Sequence, residues 1–397
     1  MDKINIDLIK PYEKNAKKHP TKQIKQIAES IKEFGFNQPI VIDKNNIIIV
    51  GHGRWLAAKE LGFDEVPFLK VDLSEEQAKA YRLADNKLNE SDWDMGLAIE
   101  DLKELSPEMF DLTGFDKDLL IEPDDKDDII PDNAPTVAQK GDVWELGRHR
   151  VMCGDATKKE DVEKLMDKEA KLCFTSPPYN MANKSYYNEY KDNLESQKYI
   201  DFNIKVIKNV QDFIKGFLFW NISYNKNSKD DWIIIFNNIL KETKFRFLEN
   251  IVWDKGHGMP ITQRDGLTRR YEMVLAGIDE DILNHEIDYN YLGTNERGVV
   301  FNKRTLKKLS NYWYIDTFKS QNEINKACFP VALPVKGIIL MTKDNDIVLD
   351  PFIGSGSTLI ACEKTNRICY GMEIDPKYVD VIIKRWEDYT GNKAKKV

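Results

Sequence analysis

Leu172-Cys173-Phe174-Thr175-Ser176-Pro177-Pro178-Tyr179 is an apolar run that ends abruptly in a double-proline corner. Three apolar residues bounded by acidic and basic turns read as a short parallel strand buried on both faces. The prolines fix the backbone where it leaves the sheet, presenting a hydroxyl, a carbonyl and an aromatic face at set angles. Ligands of open α/β sheets bind outside that edge.

Far downstream, Ile347-Val348-Leu349 runs into Asp350-Pro351-Phe352-Ile353-Gly354-Ser355-Gly356-Ser357-Thr358 and then an apolar helix. Strand, glycine turn and helix allow a backbone to approach a nucleotide-like ligand closely. Seventeen residues past Gly356 a further strand, Ile368 to Met372, ends in Glu373. That spacing suits an acid that meets ribose hydroxyls.

These two motifs, about 170 residues apart and in this order, resemble the beta class of DNA amino-methyltransferases over roughly residues 137 to 392. The resemblance implies a Rossmann-like α/β sheet, S-adenosylmethionine as cofactor, and DNA as substrate with the target base extruded from the duplex. It makes Ser176, Pro177, Pro178 and Tyr179 the catalytic corner. Asp155, Asp350, Phe352, Gly354, Gly356, Ser357, Thr358 and Glu373 become the cofactor set, Asp155 through the Gly154-Asp155-Ala156 match. The family usually carries a His where this chain has Asn325.

The chemistry fits those residue types. An exocyclic amine is a poor nucleophile because its lone pair is delocalised into the ring. Acceptors aimed at its hydrogens, here the Ser176 hydroxyl and the Pro177 carbonyl, localise that pair. Tyr179 offers a face for a flipped base. Methylation at cytosine carbon 5 needs a thiolate nucleophile. In that family the nucleophile follows a proline, and no cysteine here does. In the resembled family Asp or Asn commonly opens the tetrapeptide of adenine enzymes, whereas serine is more typical of cytosine 4-amino enzymes. Ser176 thus points to cytosine, and the N-terminal fusion described below points to adenine, the reading adopted.

The net charge of −8 is unusual for a DNA-binding chain, but its distribution is uneven. Residues 116–132 hold eight acids against two lysines, while 296–326 hold seven Lys or Arg against three acids. The basic stretch, with Lys303, Arg304, Lys307 and Lys308 near Tyr312, Trp313 and Tyr314, is read as part of a DNA target-recognition region over about 279–325. The acidic stretch is read as a solvated, mobile linker. With no apolar run of about 18 residues and no signal-peptide pattern, a cytoplasmic location is expected. Five cysteines without a C-x-x-C pair suggest buried thiols, with no metal site.

Before the linker, Lys22 to Phe34 has helical apolar spacing, and Pro39–Ile42 and Ile47–Val50 read as a hairpin. Gly51-His52-Gly53-Arg54 then precedes a helix, an anion cradle by one reading and a glycine turn by the other. Residues 6 to 89 resemble the N-terminal α+β domain of ParB and sulfiredoxin-like proteins, where the corresponding loop binds a nucleotide triphosphate and normally reads Gly-Glu-Arg-Arg. His52 and Gly53 depart from it. Such a fusion resembles phage and prophage chains generally assigned to adenine.

The division expected is 1–90 ParB-like, 91–136 helical extension and linker, and 137–397 methyltransferase. A nucleotide at the first domain and a second copy of the chain are further expected partners. An RNA methyltransferase and a nucleotide-switched DNA-binding protein that only senses the cofactor are the alternatives.

Overall fold

The structure, a computed structural model, describes residues 1–397 except 16, 18, 89–94, 116, 123, 181–192, 224–229, 260–268, 285–291, 295–299, 303–309 and 317–327. The chain divides into two units, Met1–Leu120 and Ile121–Val397.

In the first unit β1 (Lys3–Asn5), α1 (Thr21–Phe34), β2 (Ile40–Ile42), β3 (Ile48–Val50), α2 (His52–Glu60), β4 (Glu65–Lys70) and α3 (Glu75–Leu88) form a four-stranded sheet, in the order β1-β4-β2-β3, with helices. Its core is Ile6, Ile9, Ile40, Ile42, Ile48, Trp55 and Val66. The β2–β3 pair is the hairpin expected from the sequence. Two short helices follow, α4 (Met95–Lys103) and α5 (Pro107–Thr113), the latter capped by Ser106 with Pro107 in its first turn and Gly114 closing it.

The second unit runs β5 (Val143–Leu146), β6 (His149–Cys153), α6 (Lys159–Leu165), β7 (Ala170–Thr175), α7 (Ser196–Val210), β8 (Ile214–Ile222), α8 (Asp231–Glu242), β9 (Phe245–Met259) and β10 (Arg269–Asp279). It continues with α9 (Glu280–Asn284), β11 (Leu292–Thr294), β12 (Val300–Asn302), β13 (Tyr312–Tyr314), α10 (Ala332–Met341), β14 (Ile347–Asp350), α11 (Ser357–Lys364), β15 (Ile368–Glu373), α12 (Pro376–Thr390) and β16 (Lys395–Lys396). Ten of these strands form one sheet in the order β13-β9-β10-β8-β7-β14-β15-β6-β5-β16. Strands β8, β7, β14, β15 and β6 are mutually parallel, and antiparallel strands flank them.

From β7 the chain crosses over to β8 on one side, and from β14 it crosses to β15 on the other. The seam between β7 and β14 is therefore a topological switch point, where the connecting loops diverge and leave a crevice. Leu172 and Cys173 pair with Val348 and Leu349, all at most 1% exposed, so the double-proline corner and the glycine loop leave the sheet side by side. Layers of helix cover both faces, which is why these strands read as continuous apolar runs.

The acidic stretch is solvated only in part: Glu122, Asp124 and Asp132 are exposed, but others are packed. Asp127 is 3% exposed, accepts from Lys364 and Tyr389 through its carboxylate, and accepts Arg385 through its carbonyl. Asp128 caps the Val331 amide, and Asp380 accepts the amides of Val137 and Ala138. The acids are there to satisfy buried donors, a pairing that composition alone conceals.

Close packing sets one sharp limit. A Cβ placed on Gly216 in β8 would stand 1.9 Å from the Lys171 carbonyl oxygen, where β7 and β8 shift register. Backbone cannot yield as a flexible side chain does. Gly216→Ala is expected to cost about 2–3 kcal/mol, measured as a lowered denaturant midpoint, and an unchanged midpoint would contradict this packing.

Candidate active site

The crevice at the switch point is a cavity of about 340 Å³. Ser176 and Pro178 line it from the proline corner, Phe352, Gly354 and Ser357 from the glycine loop, and Glu373 from the end of β15. Asp155 and Phe329 line it as well, and Leu194 and Phe202 add apolar wall. Residues from opposite ends of the second unit thus share one space, and apolar walls with two acids suit a nucleoside-like ligand.

The glycine loop earns its glycines by backbone angle. Gly354 and Gly356 have φ of +55° and +91°, in the left-handed region, and Gly356 caps α11. The Gly354 amide donates to Glu373 Oε2 (3.1 Å) and the Asp375 amide to Oε1 (3.0 Å). Burial is the main cause that pushes the Glu373 carboxyl up to about 7. Asp375 itself caps α12, accepting from the Lys377 amide (3.0 Å).

Asp350 requires a correction. Expected against the ligand, it is 0% exposed and does not line the cavity. Its oxygens accept from Thr175 Oγ1 (2.6 Å), Thr358 Oγ1 (2.6 Å) and the Phe352 amide (3.1 Å). Burial pushes this carboxyl up to about 6. It staples the end of β7 to the loop after β14, and Thr358, likewise buried, is part of that staple. Gly356 and Pro177 also lie behind the cavity wall. Asp155 lines the cavity and is a turn acid too, accepting from the Thr157 amide (2.9 Å) and hydroxyl (2.8 Å).

At the proline corner, Ser176 Oγ lies 2.6 Å from the Tyr179 hydroxyl, which donates to Glu272 Oε2 at 2.7 Å. Asn221 Nδ2 lies 2.8 Å from the Tyr179 oxygen, 3.1 Å from Glu272 Oε2 and 3.3 Å from Ser176 Oγ. Lys255 Nζ binds Glu272 Oε1 at 2.9 Å. Tyr179 therefore faces Glu272 with its hydroxyl instead of presenting only a ring. Asn180, at φ +56°, clasps both backbone groups of Leu194 (2.7 and 2.8 Å), and the Pro178 carbonyl accepts the Tyr199 hydroxyl (2.7 Å).

Glu272, Asn221 and Lys255 were not singled out from sequence. Their signal was present: an acid in the apolar run Tyr271-Glu272-Met273-Val274-Leu275 has to be solvated or paired, and β10 is an interior strand. Of the expected recognition region, Trp313 is a core residue 2% exposed, while Tyr312 and Tyr314 face outward on β13. Lys303, Arg304, Lys307, Lys308 and Asn325 lie outside the described residues. Of the five cysteines, four are buried and Cys328 lines the cavity beside Ser355.

In the first unit, Gly51 (φ +103°) caps α2, and His52 and Gly53 sit in its first turn. His52 Nε2 accepts the Tyr12 amide (3.1 Å), and burial, with His19 and Arg82 nearby, lowers its pKa to about 4. Arg54 folds back onto Gln38 Oε1 (3.0 Å) and the Pro39 carbonyl (3.3 Å). A Cβ on Gly53 would meet Ile27 at 3.0 Å, so that glycine serves helix packing. Arg54 Nε is buried without a hydrogen-bond partner among the described residues, so the loop is only partly satisfied inwardly.

A DNA methylase family model matches residues 170–385, and a ParB N-terminal domain model matches residues 1–87. The chain is 31% identical over 149 residues to the type II methyltransferase M.Cfr9I of Citrobacter freundii, covering 37% of this chain and 46% of that enzyme. With the type II methyltransferase M.BglII of Bacillus subtilis it shares 26% identity over 237 residues, 55% of this chain and 63% of the relative. The chain thus spans between about half and two thirds of these relatives. Over 70 residues, 17% of the chain, it is 46% identical to 80% of YnaK of Escherichia coli (strain K12), a ParB-like nuclease domain-containing protein.

Proposed function

The chain belongs to the DNA methylase family and carries a ParB N-terminal domain, and from that membership we propose that it methylates the exocyclic amine of a base in DNA. One observation carries the reading: Ser176 and Pro178 share a cavity with Gly354 and Glu373. S-adenosylmethionine, when bound, would supply a methyl on a cationic sulfur: the N–C bond would form as the C–S bond breaks, its electrons going to sulfur, and one amine proton would pass to solvent after transfer.

The residues fit that group. Glu373 would accept ribose hydroxyls, Phe352 would pack against the cofactor's adenine, and Gly354 would let the backbone come close. Ser176 holds the amine, and the apolar wall excludes water. Tyr312 and Tyr314, exposed on β13, are assigned to the DNA-facing side, and Lys303, Arg304, Lys307 and Lys308 keep the phosphate-binding role expected from sequence. The Gly51–Arg54 loop is assigned to structure and not to nucleotide.

The base assigned is adenine, at its 6-amino group, on the strength of the fusion to a ParB domain. Ser176 at the head of the tetrapeptide favours cytosine 4-amino as the second reading. Incubating the chain with methyl-labelled S-adenosylmethionine and duplex DNA, single-stranded DNA or RNA, then digesting to nucleosides, tests both. Label on N6-methyladenine from DNA is expected. Label on N4-methylcytosine moves the assignment to the second reading, and label in RNA alone overturns it.

Cofactor affinity should depend on pH through Glu373. Burial disfavours its charged form, whereas accepting from hydroxyls needs the carboxylate, so binding is strong above about 7 and lost below it. Between about pH 8 and about pH 6 the Kd should rise roughly tenfold, one proton being displaced per ligand bound. Calorimetry measures it, and Glu373→Gln should bind more weakly with a flat profile.

A further inference from the structure

A serine hydroxyl near an amine can help or hinder. If it accepts an amine N–H, the nitrogen lone pair is freed for attack. If it donates to the nitrogen, that lone pair is tied up. The direction of one O–H bond therefore matters, and the groups behind Ser176 determine it.

Lys255 holds Glu272 Oε1, and Glu272 Oε2 can only accept. Burial and the Glu272 charge hold the Tyr179 phenol well above its ordinary pKa, so the proton between them stays on tyrosine. With its proton directed to Glu272, the Tyr179 oxygen is an acceptor, and the Ser176 hydroxyl at 2.6 Å is its donor. Asn221 reinforces the same direction. Its Nδ2 faces Ser176, Tyr179 and Glu272, whereas the reversed amide would set Oδ1 against the carboxylate. Oδ1 is left buried without a partner among the described residues, a cost set against the two donor contacts to Tyr179 and Glu272. The Ser176 proton thus points away from the cavity that Ser176 lines, and lone-pair density faces inward.

We propose that Glu272, held by Lys255 and assisted by Asn221, is a positioning residue that makes Ser176 Oγ a fixed hydrogen-bond acceptor for the amine to be methylated. The inference rests on the amino-methylation reading. Three residues on three strands thereby lend a neutral hydroxyl the acceptor character a carboxylate would have at that position. No side chain of the network other than Ser176 and Tyr179 need touch the base.

The test is a double-mutant cycle on the full chain, using Glu272→Gln, Tyr179→Phe and the pair. Glu272→Gln should lower kcat by about 30- to 100-fold, in the range of a lost oriented hydrogen bond, with the Kd of S-adenosylmethionine changed less than about twofold. Because the effect travels through the Tyr179 hydroxyl, the double variant should fall no more than about threefold below the worse single one. Multiplied losses would overturn the inference. A readout independent of turnover is the 13Cζ resonance of labelled tyrosine. The signal missing from Tyr179→Phe identifies the residue, and Glu272→Gln should shift it. An unmoved signal overturns the proposal. Should Glu272→Gln fail to fold, the pair Lys255→Met with Glu272→Gln removes both charges and carries the same expectations. No transfer by the unaltered chain would overturn the methylation reading and this inference together. Transfer by the unaltered chain with multiplied losses overturns this inference alone.

Discussion

Ser176→Ala is expected to lower kcat by about 10²- to 10³-fold, the loss that follows removal of one preorganised group at a reacting centre. Ser176 lines the cavity, and its hydroxyl is the proposed contact of the network with the amine. Its loss removes one donor from the Tyr179 oxygen, where Asn221 Nδ2 remains at 2.8 Å, and removes no apolar packing, so the fold should be intact. Cofactor binding should also survive, because Glu373, Gly354 and Phe352 lie on the other side of the crevice. Rapid-quench measurement of a single turnover, alongside calorimetric binding, separates the two quantities. Equal loss in both would assign Ser176 to the ligand site generally and not to the amine.

Lys255→Met should be the most damaging single change to stability among these residues. Glu272 is 8% exposed, and Lys255 supplies its opposing charge at 2.9 Å. Removing one partner of a buried pair leaves an uncompensated charge, at a cost of about 3–5 kcal/mol. The Tyr179 and Asn221 donors still reach Glu272, which places the expectation near 3 kcal/mol on that scale. Combining Lys255→Met with Glu272→Gln should restore most of the loss, since neither charge remains. Denaturant unfolding of the single and double variants checks this, and a double variant no more stable than the single one would contradict it.

The catalytic fold was largely legible because its two decisive motifs are local. A strand that ends in two prolines and a strand that ends in a glycine turn each announce a sheet edge within about ten residues. What escaped depends on residues far apart in the chain. Glu272 meets Tyr179 across 93 positions and the Asp127 carboxylate meets Lys364 across 237, separations that no local pattern reports. Asp350 misled differently. Its motif position is correct, yet Thr175, 175 residues earlier, claims its carboxylate and turns a ligand contact into a staple. At Gly51–Arg54 the glycines do what a turn demands, and the inward bonds of His52 and of the Arg54 Nη atoms join residues too far apart for the sequence to announce.

Ultraviolet cross-linking of labelled S-adenosylmethionine, followed by peptide mapping, bears most directly on the claim that two distant motifs close one ligand site. The account predicts label on the peptides that contain Ser176–Tyr179 and Phe352–Glu373, lost together on competition with unlabelled cofactor. Label confined to residues 1–120 would contradict it.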